Sequence, residues 1–216
     1  MPKLQKSDLG SQREQAYHSL RSLLILQQID AGQRLREPEW AARLNVHRTA
    51  LREAFARLEA DGLIERGAST GYFVPRLGPD DIAEVTKIRL GLECLAVDEI
   101  CKDASLPLDR IKQACDQFAA FLDGGYPLGV IEADRRFHEA IIDAAKMRRL
   151  SALYLRAPLP LINHRTEDHQ LWQAECMRTL NEHRAILAAI EQRDGKEAKK
   201  QLRSHIEHRP ALPIRR

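Results

Sequence analysis

Four residues in the second half of the chain have side chains of the types that bind divalent metals, at a spacing that helices could bring together. Asp134 and His138 stand four residues apart in the stretch EADRRFHEAII, so on a helix both side chains leave the same face. His183 and His205 follow on two later stretches of helical periodicity. Three imidazoles and one carboxylate would form a divalent metal site if these helices share one interior. A single histidine is more often an ordinary surface or core residue, so both interpretations stay open.

Apolar residues accompany each candidate ligand at helical spacing, which predicts that the four side chains can face one interior. They are Phe137 and Ile141 near the Asp134 pair, Ile186 and Ile190 after His183, and Leu202 and Ile206 around His205. His164 is the best spare ligand, whereas His18, His169 and His208 are interpreted as ordinary residues.

A second pair of residues, Arg48 and Arg52, lies one helical turn apart in NVHRTALREAFARLEADGLIER. An apolar stripe of leucine and phenylalanine lies on the opposite face of this stretch. The planar fork of arginine matches the acceptor edge of guanine and also a phosphate group. The pair therefore suits a recognition helix in a DNA groove. The alternative is a solvated helix face on which Glu53 pairs locally.

The charge distribution favours a polyanion partner for the first third of the chain. Residues 1–78 contain 12 lysines and arginines against 9 acidic residues, whereas the remaining 138 residues contain 22 of each. The whole net charge of +3 therefore lies in the first third.

Turn residues and periodicity predict a winged helix-turn-helix at residues 11–76, after a flexible arm at 1–10. Ser11 is the expected first helix cap, with Glu14 completing a capping box. That helix is predicted to end at the turn AGQ. A short helix at 37–44, a left-handed turn at Asn45 and a helix from His47 to Asp61 follow, and Gly62 ends the last helix. LIER and YFVPR form a two-stranded hairpin with glycines at its tip.

The remainder of the chain predicts an all-α bundle at residues 81–210, joined through a linker at 77–80. The fold class is therefore mainly α, with an N-terminal winged helix-turn-helix and a C-terminal helical bundle. The predicted helices of the bundle lie near 80–101, 107–123, 127–145, 147–165, 170–192 and 195–208.

The stretch GQRLREPEWAARLNVHRTALREAFARLEADGLIERGASTGYFV, residues 32–74, resembles the winged helix of the GntR superfamily of bacterial transcription regulators. His47 stands where that family commonly has serine or threonine, and Pro38 stands where some members have a DNA-contacting arginine. The resemblance implies that Arg48 and Arg52 contact DNA bases or backbone. It also implies that His47 and Thr49 touch the backbone, and that Ser69, Thr70 and Gly71 lie at the wing tip over the minor groove.

The helical half is similar to the FadR-type C-terminal domain, called FCD. The resemblance rests on IRLGLECLAV, on EADRRFHEAII and on EHRAILAAIEQRDGKEAKKQLRSHI. In metal-binding members this pattern holds an ion, so the resemblance implies Asp134, His138, His183 and His205 as ligands. Zinc suits this set best, with nickel or manganese as alternatives.

The same resemblance implies an effector site and a dimer. Arg89 matches a family arginine that faces the cavity, where it could pair with the carboxylate of a small organic acid. The alternative is a surface arginine beside the linker. Asn163 is a further candidate for the cavity wall. The bundle is expected to form a homodimer, as binding to a palindromic operator requires.

The predicted function is a ligand-responsive regulator that binds double-stranded operator DNA, and not an enzyme. Two alternatives are a sensor in which the ion itself is the signal and a metalloenzyme with a DNA-binding appendage. No HExxH arrangement supplies a general base beside the ligands. The four cysteines show no CxxC pairing, and no apolar run reaches the roughly 18 residues of a membrane span. A cytoplasmic location and no membrane partner are therefore expected.

Overall fold

The structure, a computed structural model, describes residues 6–67, 71–156 and 168–207. The chain divides into two units, residues 1–77 and residues 78–216. The division falls inside the predicted linker at 77–80. Among the described residues, no helix combines the length and the apolar composition needed to cross a membrane.

The first unit contains three helices and a small antiparallel sheet among its described residues. The buried side chains of the helices and of the sheet form one core. Leu51, Phe55 and Leu58 of the third helix are fully buried in it, as the apolar stripe predicted. The elements are α1 (Lys6–Ile25), β1 (Arg34–Leu35), α2 (Glu37–Leu44), α3 (Arg48–Ala60), β2 (Glu65–Arg66) and β3 (Tyr72–Phe73).

The turn between α2 and α3 has the predicted chemistry. Pro38 lies in the first turn of α2, where its missing N–H costs no hydrogen bond. Asn45 takes a left-handed conformation with φ 52° and ψ 49°, and its N–H bonds back to α2. His47 is the extended residue before α3, and Gly62, with φ 69°, follows its end. These features set the direction of α3.

Helix α1 differs from the prediction at both ends. It begins at Lys6, so the predicted arm at 1–10 overlaps the helix, and Ser11 lies inside it rather than capping it. Gly10 lowers helix propensity by about 1 kcal/mol but does not break a helix, which explains the error. The helix ends at Ile25, before the predicted turn, where Gln27 takes a left-handed conformation with φ 52°.

The hairpin is part of a three-stranded sheet with the order β1-β3-β2. The two strands around the glycine-rich tip pair antiparallel, with Glu65 opposite Phe73. Strand β1 was not predicted, because two residues are too few to show an alternating pattern. It pairs with β3 through Arg34 opposite Phe73 and places Leu35 in the core.

The described part of the second unit consists of helices joined by short turns, with no strand, as predicted. Its helix ends lie within two residues of the predicted positions, except in α7. Residues 157–167 lie outside the described residues, so the predicted continuation of that helix to 165 does too. The helices are α4 (Pro79–Lys102), α5 (Asp109–Asp123), α6 (Pro127–Ala144), α7 (Arg148–Arg156), α8 (His169–Glu191) and α9 (Gly195–Glu207). A core of buried side chains from all six holds them together.

Candidate nucleic-acid interface and metal centre

Helix α3 has one buried face and one exposed face. The apolar residues opposite the arginine pair fill the core of the first unit, so the other side of the helix is left to solvent. Four predicted DNA-binding residues lie on that exposed side or just before it: His47, Arg48, Thr49 and Arg52. This is the arrangement that a helix entering a major groove requires, with its first turns presenting donors.

The two arginines of this face differ in their partners. Within the described residues, Arg48 forms no ion pair, so its guanidinium is available to a ligand. The Nε of Arg52 donates to Oε2 of Glu37, on α2, at 2.6 Å. Glu53, the local partner considered in the sequence, lies instead 3.5 Å from Arg13. Sequence reasoning missed Glu37 because the two residues lie on different helices.

The predicted wing tip is described only in part. Gly71 precedes β3 and has φ 132°, a conformation that other residues rarely adopt. Ser69 and Thr70 lie outside the described residues. The structure therefore gives the start of the returning strand but no geometry for the two polar side chains of the tip.

In the second unit, the structure brings the four predicted metal ligands together. Asp134 and His138 come from α6, His183 from α8 and His205 from α9. One ligand atom from each lies within 4.8 Å of those of the other three. The side chains of the three histidines are at most 2% exposed, whereas that of Asp134 is 15% exposed. His164, the spare candidate, lies outside the described residues.

Core packing positions the rings. The apolar neighbours predicted to face inward are all buried, with Phe137, Ile141, Ile186, Ile190 and Leu202 at 0% exposure and Ile206 at 4%. The ring of Phe137 stacks on that of His183, with centroids 3.9 Å apart. The cluster therefore sits at a meeting point of three helices, which limits rotation of each imidazole.

A glutamate lies behind each of two imidazoles. Nδ1 of His138 is 2.6 Å from Oε2 of Glu93, on α4, and Nδ1 of His205 is 2.7 Å from Oε2 of Glu182, on α8. An ionised carboxylate only accepts hydrogen bonds, so each Nδ1 must donate. In a neutral ring the proton is then on Nδ1, and Nε2 has a bare lone pair.

These lone pairs make the cluster fit a cation. The Nε2 atoms of His138 and His205 are 3.1 Å apart. Two bare lone pairs at that distance repel, and a positive ion near both relieves the repulsion. Oδ1 of Asp134 lies 3.4 Å from Nε2 of His183 and 3.9 Å from Nε2 of His138. Three nitrogens and one carboxylate oxygen suit a borderline-soft divalent metal.

The electrostatics keep His138 neutral and Glu93 ionised. Burial, together with the charge of Arg89, lowers the pKa of His138 to about 4. For Glu93, burial opposes ionisation, but His138 and Arg89 outweigh it and lower its pKa to about 2. A neutral imidazole is the form that binds metal, and an ionised glutamate is the form that orients it.

Arg89 is buried, at 7% exposure, so the alternative of a surface arginine is wrong. Its Nε donates to Oε1 of Glu93 at 2.6 Å, and the hydroxyl of Tyr154 donates to the same oxygen at 3.1 Å. Within the described residues, the terminal amino groups of Arg89 make no hydrogen bond. Asn163, the other predicted effector contact, lies outside the described residues.

Glu139 follows His138 directly in sequence. Its carboxylate pairs with Arg135, one turn earlier on the same helix.

Comparison with known proteins identifies the family. Residues 84–208 match the FCD domain, and residues 12–74 match the gntR family of bacterial regulatory proteins. The chain belongs to the GntR family and has an FCD domain. It is a transcriptional regulator, and its fold class is the one that the sequence predicted.

Three similar proteins illustrate the family. The uncharacterized HTH-type transcriptional regulator YdhC of Bacillus subtilis is 30% identical over 201 residues, which cover 90% of this chain and 87% of YdhC. The HTH-type transcriptional repressor RspR of Escherichia coli is 24% identical over 200 residues, which cover 90% of this chain and 85% of RspR. A GntR regulator structure from Rhodococcus sp. RHA1 has a TM-score of 0.72 at 27% identity, covering 91% of this chain and 94% of that one.

Proposed function

We propose that this GntR regulator binds operator DNA through α3 and its wing, and binds a small organic acid at a metal site in its FCD domain. The observation that carries the proposal is the convergence of Asp134 and three buried histidines, with one ligand atom each within 4.8 Å. The regulator acts where the operator lies, in the cytoplasm.

The exposed face of α3 supports the DNA-binding half. Arg48 offers a guanidinium that no described residue pairs with, in the first turn of the helix, where base contacts are usually made. His47 and Thr49 flank it and are exposed. Arg52 reaches DNA after leaving Glu37, because a phosphate or a guanine edge can replace one carboxylate acceptor. Ser69, Thr70 and Gly71 complete the proposed interface at the wing.

The charge balance of the cluster supports the acid-binding half. Three neutral imidazoles and one carboxylate leave a bound divalent ion with net positive charge, and an acid carboxylate can complete its coordination. Arg89 is the proposed second anchor, since its terminal amino groups can hold a carboxylate in a bidentate pair. Asn163 is proposed for the wall of the same site. Zinc is the proposed ion, with nickel and manganese as alternatives.

Helix α4 supports the proposal of a homodimer. Ile88 and Leu95 lie seven residues apart on it and are 43% and 42% exposed. Gly91, between them, has no heavy atom within 4 Å of where a Cβ would be, so a second helix can approach closely. A second copy would bury this stripe, and the dimer would supply the two recognition helices that a palindromic operator requires. Replacing Leu95 with glutamate should then shift the protein from dimer to monomer in light scattering.

The function is tested by operator binding with and without metal and acid. The purified protein should retard a fragment of its own upstream region and not an unrelated fragment of equal length. A small carboxylate should change that affinity only when metal is bound, because the ion is part of the acid site. If metal alone changes the affinity and no acid does, the ion is the signal. If no specific retardation occurs at modest salt, the proposed function is wrong.

A further inference from the structure

Glu93 on α4 is fully buried and has no role in the site that the sequence predicted. It contacts three groups at once. Oε1 accepts hydrogen bonds from Nε of Arg89 at 2.6 Å and from the hydroxyl of Tyr154 at 3.1 Å. Oε2 faces Nδ1 of His138 at 2.6 Å. The carboxylate therefore lies between the arginine proposed to hold the acid and one of the proposed metal ligands.

These contacts give each oxygen of Glu93 a different task. Oε1 is engaged by two donors from other residues, so the carboxylate cannot rotate without losing both hydrogen bonds. Oε2 is left to accept from His138, which must then have its proton on Nδ1. A neutral imidazole has one ring proton, so Nε2 of His138 is bare on the side where the other three candidate ligands lie.

We propose that Glu93 is a positioning residue for the metal site: held by Arg89 and Tyr154, it fixes the His138 tautomer that presents a bare Nε2 to the ion. This inference rests on the proposed function, because it takes the four-residue cluster as the metal site. It also means that Arg89 has two roles, since the arginine that anchors the acid also holds the carboxylate that orients a ligand.

Glu93 is better suited to this role than Glu182, which lies behind His205. Glu93 is 0% exposed, whereas the side chain of Glu182 is 27% exposed and lies 3.6 Å from the exposed Arg178. Water competes for the hydrogen bonds of Glu182 but not for those of Glu93. We therefore expect the tautomer of His138 to depend more on its glutamate than that of His205 does.

Replacing Glu93 with glutamine makes the inference testable, because the amide has only one acceptor oxygen. Arg89 and Tyr154 both donate to the Oε1 position, so the amide oxygen must lie there. The NH₂ group then faces Nδ1 of His138 and forces that nitrogen to accept. The ring proton moves to Nε2, on the metal side, and zinc can bind only after this tautomer is lost.

The experiment combines ring ¹⁵N chemical shifts of the metal-free protein with zinc titration against a chromophoric chelator. Wild-type His138 should show a protonated Nδ1 and a bare Nε2. Glu93→Gln should show the opposite tautomer and bind zinc about 10–100-fold more weakly, as is typical when a partner that orients a ligand is lost. The control Glu99→Gln changes a partly exposed glutamate of the same helix, paired with Lys102, and should match the wild type in both measurements.

Three results would separate the inference from the proposed function. A protonated Nε2 in the metal-free wild type overturns the role of Glu93, and this measurement does not depend on how any variant folds. Wild-type zinc affinity in a folded Glu93→Gln variant also overturns it and leaves the metal site intact. A wild-type protein that binds neither zinc, nickel nor manganese contradicts the proposed function, while the tautomer measurement still tests the hydrogen bond to Glu93.

Discussion

The exposed face of α3 and the buried cluster of α6, α8 and α9 present polar side chains in opposite surroundings. Arg52 on α3 is 66% exposed and has one ion pair, whereas His183 is 0% exposed and packed against Phe137. Water can solvate the Arg52 guanidinium when its partner leaves. The His183 imidazole depends on protein neighbours, or on a bound ion, for its interactions.

This difference determines what each region can do. An exposed ion pair is worth about 0.2–1 kcal/mol, so Arg52 can exchange Glu37 for DNA at little cost. A buried imidazole that loses its partner cannot turn to water, so the loss costs more free energy than at an exposed side chain. A cation bound by such imidazoles should therefore be held strongly. Substitutions on the exposed face of α3 should therefore alter DNA binding with at most about 1 kcal/mol of change in stability. Substitutions in the cluster should alter metal binding and, through it, stability.

The largest expected effect is the loss of metal in His183→Ala. The wild type should hold about one ion per chain, and the variant should lose it, since a ligand matters more than the orienting partners whose loss costs about 10–100-fold. At a metal concentration 100 times the dissociation constant, the wild type gains about 2.7 kcal/mol in free energy of unfolding, and the variant should not. Metal analysis by mass spectrometry and thermal unfolding measure these effects.

His169→Ala is the matched control, because it removes an exposed histidine from the first turn of the same helix. Its metal content and its metal-induced stabilisation should equal those of the wild type. Full metal occupancy in His183→Ala would reject the ligand set.

The next effect is on operator affinity. Arg48→Ala should weaken binding by about 1–3 kcal/mol and relax specificity at one base pair if the guanidinium reads a base. Fluorescence anisotropy with the operator and with single-base variants measures both. Lys102→Ala, an equal loss of charge on an exposed residue of the other unit, should leave affinity unchanged. Equal losses in the two variants would mean that net charge, not the α3 face, sets the affinity.

A third effect concerns salt. Each phosphate contact releases counterions and contributes about 0.9 to the slope of log affinity against log salt concentration. If Arg52 contacts a phosphate, Arg52→Ala should lower the magnitude of that slope by about this amount. It should also weaken binding to all DNA sequences alike. An unchanged slope would mean that Arg52 makes no phosphate contact.

The smallest effect is expected at Glu37. Glu37→Gln frees Arg52 and removes a negative charge from the DNA-binding face, so operator affinity should rise by about 0.2–1 kcal/mol, the worth of one exposed ion pair. The control Glu39→Gln changes an exposed glutamate of the same helix, which pairs with Arg36 instead. A fall in affinity for Glu37→Gln would show that the ion pair helps to place Arg52 for DNA.

Features that depend on one stretch of helix could be predicted from the sequence. Spacing along one helix defines a face, so the residue types and their spacing were enough to assign the pairs Arg48–Arg52 and Asp134–His138 to faces. Turn chemistry at Asn45 and Gly62 likewise depends on a single residue type. The candidate ligands could be grouped because each has apolar neighbours at helical spacing.

Partners on separate helices could not be predicted in this way. Glu93 precedes His138 by 45 residues, and their contact depends on the rotation of α4 and α6 about their own axes. The ion pair of Glu37 and Arg52 likewise depends on how α2 and α3 pack against each other. Strand β1 is too short for any periodicity. Local patterns therefore identified the candidate ligands, but tertiary packing determines which carboxylates orient them.

The central claim is that one site in the FCD domain binds both an ion and an acid. The most direct measurement is a thermal-shift screen of small carboxylates on the metal-loaded wild-type protein and on the His183→Ala variant. The account predicts that at least one acid raises the unfolding temperature of the wild type, has no effect on the variant, and changes operator affinity in the wild type alone. Equal stabilisation of both proteins by that acid would contradict it.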